Sequence, residues 1–169
     1  FAALLLKRLQ AAGAEDRLTA TQFGFRKRRG TTDAIFAVRR FIDLALANKN
    51  GQIAALALDW AKAFDSVNVN ALITALSRFG VTVKILRILQ HIYEERFFVV
   101  ADGGDRSSKR RQRSGISQGC PLSPFLFVML MTVLMKDAVS SLSQEAQALF
   151  GKGQLDAVLY ADDTLLVGA

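Results

Sequence analysis

Three short apolar runs without charged residues stand out along the chain: residues 53–58, 157–161 and 165–167. An uninterrupted apolar run, as opposed to an alternating one, is typical of a strand that is buried on both faces of a sheet. The first run leads directly into Asp59, and the other two flank the adjacent pair Asp162 and Asp163. We therefore predict buried strands, with the acidic pair at the tip of a hairpin.

Apolar residues at helical spacing predict four further helices, over residues 1–10, 34–48, 70–78 and 83–94. Residues 125–135 are almost wholly apolar, but a membrane span needs about 20 such residues, so we predict a buried core helix. Ser123 and Pro124 have the types expected for its N-cap and first helical position.

The remaining segments are predicted to be a strand, turns and loops. Residues 97–100 are apolar and are followed by Asp102-Gly103-Gly104-Asp105, a pattern typical of a strand and a hairpin turn. Residues 13–21 are predicted to form a loop, and residues 143–154 a polar connection.

Composition narrows the range of partners. The formal net charge is +7 and the isoelectric point is near 10.0, which favours a polyanionic partner, nucleic acid before an anionic membrane. The 51% hydrophobic content is enough for a sizeable core. A single Cys excludes an intramolecular disulfide, and the first residues show no signal-peptide pattern. We expect an intracellular, non-secreted protein that does not enter a membrane.

Basic residues are concentrated in two segments. Residues 26–29 are four consecutive basic residues, in a loop that either binds phosphate or is simply solvated. In the second segment, alternate positions on a strand would share a face, which suits either phosphate contacts or the protection of an edge strand. Its basic residues are Arg106, Lys109, Arg110, Arg111 and Arg113.

The adjacent acids need a source of positive charge. Asp162 and Asp163 repel each other, and residues 154–169 contain no Lys or Arg. A solvated turn is one interpretation; a divalent cation, which prefers hard oxygen ligands, is the other. If the strand that ends at Asp59 lies in the same sheet, three carboxylates can hold two cations about 3.5–4 Å apart. That arrangement suits a nucleotidyltransferase.

Four segments, in the same order, resemble motifs of the reverse transcriptase domain of non-LTR (LINE-type) retrotransposons. By this resemblance, the chain is more similar to group II intron reverse transcriptases than to retroviral ones. The segments are Gln22-Phe23-Gly24-Phe25-Arg26 continuing through residues 31–35, residues 58–67, residues 115–124, and Tyr160-Ala161-Asp162-Asp163. The first resembles a fingers motif, the second and fourth the catalytic palm motifs, and the third the motif that contacts nucleotide and template.

The resemblance implies a role for each matching residue. Asp59, Asp162 and Asp163 would hold two Mg²⁺ or Mn²⁺ ions, with help from the backbone carbonyl of Trp60. Phe64 would stack under the sugar and exclude a 2′-hydroxyl; its alternative is an ordinary core Phe. The incoming nucleotide would be lined by Gln118 and Gly119, and its triphosphate contacted by Arg26 or Arg29. Lys27 and Arg28 stand where the family often has Pro and Gly, and Trp60 is bulkier than in some members.

The resemblance also implies the fold and the partners. We expect an α+β right-hand polymerase fingers/palm fragment, with a palm of antiparallel strands packed on helices. Residues 1–169 would form one partial domain, with fingers over about 1–50 and mostly palm over about 51–169, and no thumb. The activity would be RNA-directed DNA synthesis on an RNA template, with a DNA primer and deoxynucleotides. The isolated piece is expected to be inactive or nearly so.

Four alternatives remain open at this stage. They are a catalytically dead reverse-transcriptase-like RNA-binding scaffold, a group II intron-type reverse transcriptase, a basic nucleic-acid-binding module without chemistry, and an RNA-templated RNA polymerase. The presence of all three acids argues against a dead scaffold, and Phe64 argues against ribonucleotide incorporation. Magnesium-dependent primer extension distinguishes an enzyme from a binding module.

Overall fold

The structure, a computed structural model, describes residues 1–47, 49–152 and 154–169. Its helices are α1 (Ala2–Ala11), a short 3₁₀ helix (Glu15–Arg17), α2 (Thr31–Leu46), α3 (Ala63–Ser66), α4 (Val69–Phe79), α5 (Val83–Glu94), α6 (Ser123–Ser140) and α7 (Gln144–Gly151). Its strands are β1 (Ala54–Leu58), β2 (Phe97–Phe98), β3 (Ala101–Asp102), β4 (Asp105–Arg106), β5 (Arg110–Arg111), β6 (Leu155–Tyr160) and β7 (Asp163–Gly168).

A three-stranded antiparallel sheet with the order β1-β7-β6 organises the acid-bearing end of the molecule. The segment around Gln22 adds a short parallel pairing to β6: Leu159 donates its N–H to the Thr21 carbonyl at 2.9 Å, and Phe23 donates to the Leu159 carbonyl at 2.8 Å. A loop near the start of the chain is therefore hydrogen-bonded to the sheet formed by its last strands.

The core forms where α6 packs against α4 and the sheet. Leu126, Val128 and Met129 of α6 are fully buried, as are Leu76 of α4 and Leu159 of β6. By length and composition alone α6 could cross a membrane, but half of its residues are buried inside the protein. A helix that is apolar on all sides and packed in this way is a core helix, as the sequence predicts.

Several sequence-based predictions need correction. β1 is exposed along its whole length, not buried on both faces. It lies at the edge of the sheet, and among the described elements only β7 packs closely against it, so its faces are left uncovered. The predicted polar connection contains α7, which begins after Ser143, whose hydroxyl accepts the Ala146 N–H at 3.3 Å. Ser123 is the first residue of α6, and Leu122 holds the N-cap position.

The strand predicted over residues 97–100 is shorter than expected: β2 covers only Phe97–Phe98, and the next strand, β3, begins at Ala101. The predicted turn between β3 and β4 is confirmed. The predicted end of the second helix at Asn48, and Gly153 of the predicted connection, lie outside the described residues. The division into fingers and palm stays a prediction.

Candidate active site

The register of the sheet brings acids from two distant segments to one edge. Tyr160 and Asp163 form the last pair of the β6–β7 hairpin, so Ala161 and Asp162 make its two-residue turn. On the other side of β7, Leu58 pairs with Thr164, which places Asp59 next to Asp163. Asp59 and Asp163 are exposed and Asp162 is half-buried. The predicted hairpin with acids at its tip, and its neighbouring strand, are therefore present.

The carboxylates of Asp59, Asp162 and Asp163 are chemically suitable ligands for a divalent cation, but their oxygens do not surround a common point in this structure. Within the described residues, no group of three or more His, Cys, Asp or Glu is close enough to hold a metal ion. The ion pairs of that part of the chain join other residues: Arg39 with Asp43, Arg78 with Asp137, and His91 with Glu94. Three carboxylates at one accessible edge, without a Lys or Arg partner in these ranges, are suitable hard ligands.

The turn at the tip of the hairpin is held from outside by Gln22. Its side-chain oxygen accepts the N–H of Ala161 at 3.0 Å, and its side-chain nitrogen donates to the Ala161 carbonyl at 3.3 Å. Ala161 has a φ of +59°, a left-handed conformation that is unusual for a residue with a Cβ. In the sequence Gln22 is only one residue of a matched motif, and nothing in the neighbouring residues predicts its contact with Ala161.

Trp60 joins the end of β1 to the hairpin. Its indole N–H donates to the Thr164 hydroxyl oxygen at 3.2 Å, and that hydroxyl donates to the backbone carbonyl of Asp162 at 3.3 Å. Thr164 is buried and Trp60 is half-buried. The residue after Asp59 is thus connected to the backbone of Asp162 through two hydrogen bonds. The role of the Trp60 carbonyl as a metal ligand stays a prediction.

Phe64 is fixed in position by two other aromatic rings. It stacks on Phe127 of α6, with centroids 4.8 Å apart, and meets Phe25 edge-on at 6.3 Å. The ring is half-buried, so it is neither an entirely enclosed core residue nor a free surface one. A half-buried ring held on two sides suits the predicted contact with a sugar, which stays a prediction.

The loop that carries Gln118 and Gly119 lies between β5 and α6 in the chain, and hydrogen bonds hold its start against α3 beside Phe64. Ile116 donates its N–H to the Phe64 carbonyl at 2.9 Å, and Gly115 donates to Val67 at 2.8 Å. Gly115 has a φ of +85°, and a Cβ there would lie 2.9 Å from the Cα of Asp65, so only Gly fits this approach. Gln118 and Gly119 themselves are exposed and open to a ligand.

Arg96 supports the same loop and is not identified by the sequence analysis. Its guanidinium donates to the Gly115 carbonyl at 2.5 Å and to the Ser117 hydroxyl at 3.0 Å, and it lies 4.4 Å from the centre of the Tyr93 ring. Burial lowers the pKa of Arg96, and its Nε is buried without a partner among the described residues. A lone Arg after a helix carries no sequence signal for this role.

Arg26 and Arg29 hold their own loop together. The Arg26 guanidinium donates to the carbonyls of Thr19 at 3.0 Å and Glu15 at 3.1 Å, and burial lowers the pKa of Arg26. Arg29 donates to the Ala20 carbonyl and lies 5.4 Å from the centre of the Phe23 ring. These contacts give both residues a structural role, and contact with a triphosphate stays a prediction for each.

The second basic segment is not one strand, as expected, but is divided between two short exposed sheets: Arg106 lies on β4, which pairs with β3, and Arg110 and Arg111 form β5. β2 pairs with β5, so Phe97 lies opposite Arg111 and Phe98 opposite Arg110. The Lys109 ammonium lies 4.2 Å from the centre of the Phe97 ring. Exposed aromatic rings beside cations are typical of surfaces that bind nucleic acid. All five predicted basic residues are exposed: Arg106, Lys109, Arg110, Arg111 and Arg113.

An apolar groove adjoins the acids. It has a volume of about 550 Å³ and lies between α2 and the sheet, with Ile35 and Val38 on one side and Leu58 and Leu165 on the other. Asp59 and Asp163 also line it. Asp59 and Asp163, both exposed, therefore lie at the boundary between an apolar groove and solvent.

The family described as "Reverse transcriptase (RNA-dependent DNA polymerase)" matches residues 1–169, and the chain belongs to it. Among curated proteins, the Pol polyprotein of the R2 element from Popillia japonica is 28% identical over 82% of this chain and 22% of its own length. The RNA-directed DNA polymerase of the mobile element jockey from Drosophila melanogaster is 29% identical over 86% of this chain and 15% of its own. The relatives are thus non-LTR retrotransposon proteins, and the chain spans about a fifth of their length or less.

Solved structures share the fold. Telomerase from Candida tropicalis, in complex with a fragment of telomeric RNA, superimposes with a TM-score of 0.66 at 15% identity, over 98% of this chain and 28% of that one. Telomerase from Candida albicans gives 0.61 at 15% identity, over 99% and 29%. The predicted α+β right-hand polymerase fold is confirmed, and so is the predicted family.

Proposed function

We propose that this chain supplies the catalytic centre of an RNA-directed DNA polymerase of the non-LTR retrotransposon type. In the reaction, the 3′-hydroxyl of a DNA primer attacks the α-phosphate of a deoxynucleoside triphosphate. A phosphodiester bond forms, the bond to the β-phosphate breaks, and pyrophosphate leaves. The observation that carries the proposal is the sheet register, which pairs Leu58 with Thr164 and so brings Asp59 to the acidic tip of the hairpin.

Enzymes of this family generally use divalent metal ions. Here two Mg²⁺ or Mn²⁺ ions would be held by Asp59, Asp162 and Asp163, with the Trp60 carbonyl. When bound, such ions lower the pKa of the attacking hydroxyl and stabilise the charge on the leaving group. The hydrogen bonds from Trp60 through Thr164 to the Asp162 carbonyl favour a constant distance between the two segments that supply the ligands.

The nucleotide would lie between Phe64 and the loop that starts at Gly115. Phe64, held by Phe127, would stand under the sugar and clash with a 2′-hydroxyl, which selects deoxynucleotides. Gln118 and Gly119 are exposed and would line the base or the sugar. Arg26 or Arg29 would approach the triphosphate only if one of their present contacts to carbonyl oxygens opens.

The exposed basic sheet would contact the backbone of the RNA template or the primer. The cations of this sheet, Arg110 and Arg111, and the rings of Phe97 and Phe98 offer phosphate contacts and stacking surfaces. The exposed Arg106, Lys109 and Arg113 beside it would add further phosphate contacts. An Arg110→Ala variant should bind RNA more weakly and reduce the slope of log affinity against log salt by about 1, because one phosphate contact is lost. Lys136→Ala, an exposed cation on α6, is the control that should change neither quantity. Because its substrates occur inside the cell, we also propose an intracellular location.

The decisive experiment is primer extension on an RNA template by the full-length polypeptide that contains this chain. Asp162→Asn should lower incorporation by at least about 100-fold, since a factor of ten corresponds to each ~1.4 kcal/mol of lost transition-state stabilisation and a metal supplies several kcal/mol. Asp137→Asn, an exposed acid on α6, should retain wild-type activity. Undiminished extension by the Asp162 variant rejects the proposal.

A further inference from the structure

Gln22 is a buried polar residue whose side-chain amide is directed entirely at one turn and at its own loop. It is 1% exposed. Its oxygen accepts two N–H groups, from Ala161 at 3.0 Å and from Gly24 at 2.8 Å, and its nitrogen donates to the Ala161 carbonyl at 3.3 Å. The contact joins residues 139 positions apart in the chain.

The turn needs such support because its own residues suit it poorly. Two-residue hairpin turns favour Asn-Gly or Gly-containing pairs, whereas this turn is Ala161-Asp162. Ala161 adopts a φ of +59° and is buried, so both of its backbone polar groups lack water. Gln22 supplies a partner to each of them. Because Ala161 directly precedes Asp162, the position of the Asp162 backbone depends on these hydrogen bonds from Gln22.

The loop around Gln22 cannot move away from the turn without breaking other contacts. Phe23 and Thr21 pair with Leu159 on β6. A Cβ at Gly24 would lie 2.1 Å from the Ala161 nitrogen, so the two backbones are in direct contact. The same loop continues to Arg26, whose guanidinium closes it onto Thr19. Loop and turn thus form one unit.

We propose that Gln22 is a positioning residue: through the backbone of Ala161 it sets the direction in which the Asp162 carboxylate leaves the hairpin. The metal affinity of the acid cluster consequently depends on the conformation of the loop from Thr21 to Arg26. The inference rests on the proposed function, which makes Asp162 a metal ligand. The contact between Gln22 and Ala161 can be tested without any catalytic assay.

The test compares Gln22→Leu with Thr132→Val in the full-length polypeptide. The Leu variant is similar in size and loses all three hydrogen bonds. Thr132 is equally buried, and its hydroxyl accepts the Thr19 N–H at 3.3 Å, so its variant removes a buried hydrogen bond near the same loop but away from the turn. Two quantities are measured: amide hydrogen exchange at Ala161 without metal or nucleotide, and Mn²⁺ affinity by water-proton relaxation.

We expect Gln22→Leu to speed exchange at Ala161 by at least about tenfold and to weaken Mn²⁺ binding by about 10–100-fold, the usual effect of removing a residue that orients metal ligands. Thr132→Val should change neither quantity by more than about twofold. Unchanged exchange at Ala161, or an equal effect of the two variants, overturns the positioning role. A wild-type protein that cannot extend primers overturns the polymerase assignment instead.

Two further variants keep the test valid if Gln22→Leu does not fold. Gln22→Glu retains an oxygen that can accept from Ala161 and Gly24 but replaces the donor to the Ala161 carbonyl by a second acceptor oxygen at a buried position, so it should also speed exchange at Ala161. Gly24→Ala leaves the Gln22 side chain intact and separates the loop from the turn by steric contact. It should reproduce the faster exchange and the weaker Mn²⁺ binding, and wild-type values for both variants contradict the proposal.

Discussion

The hairpin β6–β7 and the strand β1 bring acids to the same edge of one sheet, yet they are built differently. In the hairpin, Leu159 and Val167 are each 1% exposed, and the tip is held by Gln22. In β1, Leu56 is 55% exposed and Leu58 is 36% exposed. Burial therefore stabilises the hairpin, whereas β1 owes its position to backbone pairing with β7 and to Trp60. The position of Asp59 thus depends on strand register, whereas the positions of Asp162 and Asp163 depend on the packing of the hairpin.

The largest expected effect tests whether the acid of β1 and those of the hairpin contribute equally to catalysis. Asp59→Asn should reduce primer extension by at least about 100-fold, as Asp162→Asn should, because each removes a ligand for metal ions that supply several kcal/mol. Neither change should lower thermal stability, since Asp59 is exposed and loss of a charge relieves repulsion. Activity retained by the Asp59 variant alone would mean that β1 lies outside the active site.

Stability should then separate the two regions clearly. Leu159→Ala should lower the free energy of unfolding by about 2–5 kcal/mol because it leaves a cavity in the core. Leu56→Ala, the same substitution on β1, should cost no more than about 0.5 kcal/mol because the side chain is largely in water. Urea denaturation of the two variants measures the difference. Equal losses would show that β1 is covered as completely as β6.

A smaller effect concerns the connection between the two regions. Trp60→Phe keeps the aromatic packing and removes the indole N–H that donates to Thr164. We expect a loss of about 1 kcal/mol in stability, the usual contribution of one hydrogen bond. A double-mutant cycle with Thr164→Val isolates the pair. Additive effects of the two changes would contradict the connection.

The smallest effect is expected for an ion pair that touches neither region and so serves as a reference. The Arg78 guanidinium, through a hydrogen bond, lowers the pKa of Asp137 below its ordinary value of 3.8. The folded protein binds this proton less readily than the unfolded chain, so the pair's stabilisation is present above pH 3.8 and is lost as the pH falls through the lowered value.

Asp137→Asn should therefore flatten the acid limb of a plot of melting temperature against pH, by a small amount because the pair is exposed. Primer extension and exchange at Ala161 should not change. A larger shift than that of Trp60→Phe would show that this surface pair stabilises the packing of α4 on α6.

Much of the site follows from short stretches of sequence. An apolar run, two acids and a second apolar run predict the β6–β7 hairpin, because strand pairing across a tight turn involves neighbours in the chain. The family motifs likewise identify Asp59, Phe64 and the loop from Gly115. By contrast, α7 is missed, because its apolar positions are few and its start depends on the cap at Ser143.

Other features were decided only by the tertiary structure, because they depend on residues that meet across long separations. The apolar run of β1 is typical of a buried strand, but β1 is exposed because, among the described elements, none covers its faces closely. The sequence predicts that Arg26 contacts phosphate; only the structure shows that its guanidinium donates hydrogen bonds to three backbone carbonyls. Gln22 is polar and looks like a loop residue, yet it meets Ala161 from 139 positions away. Local patterns specify which elements form; the sheet order and the partners of buried polar groups follow only from how those elements pack.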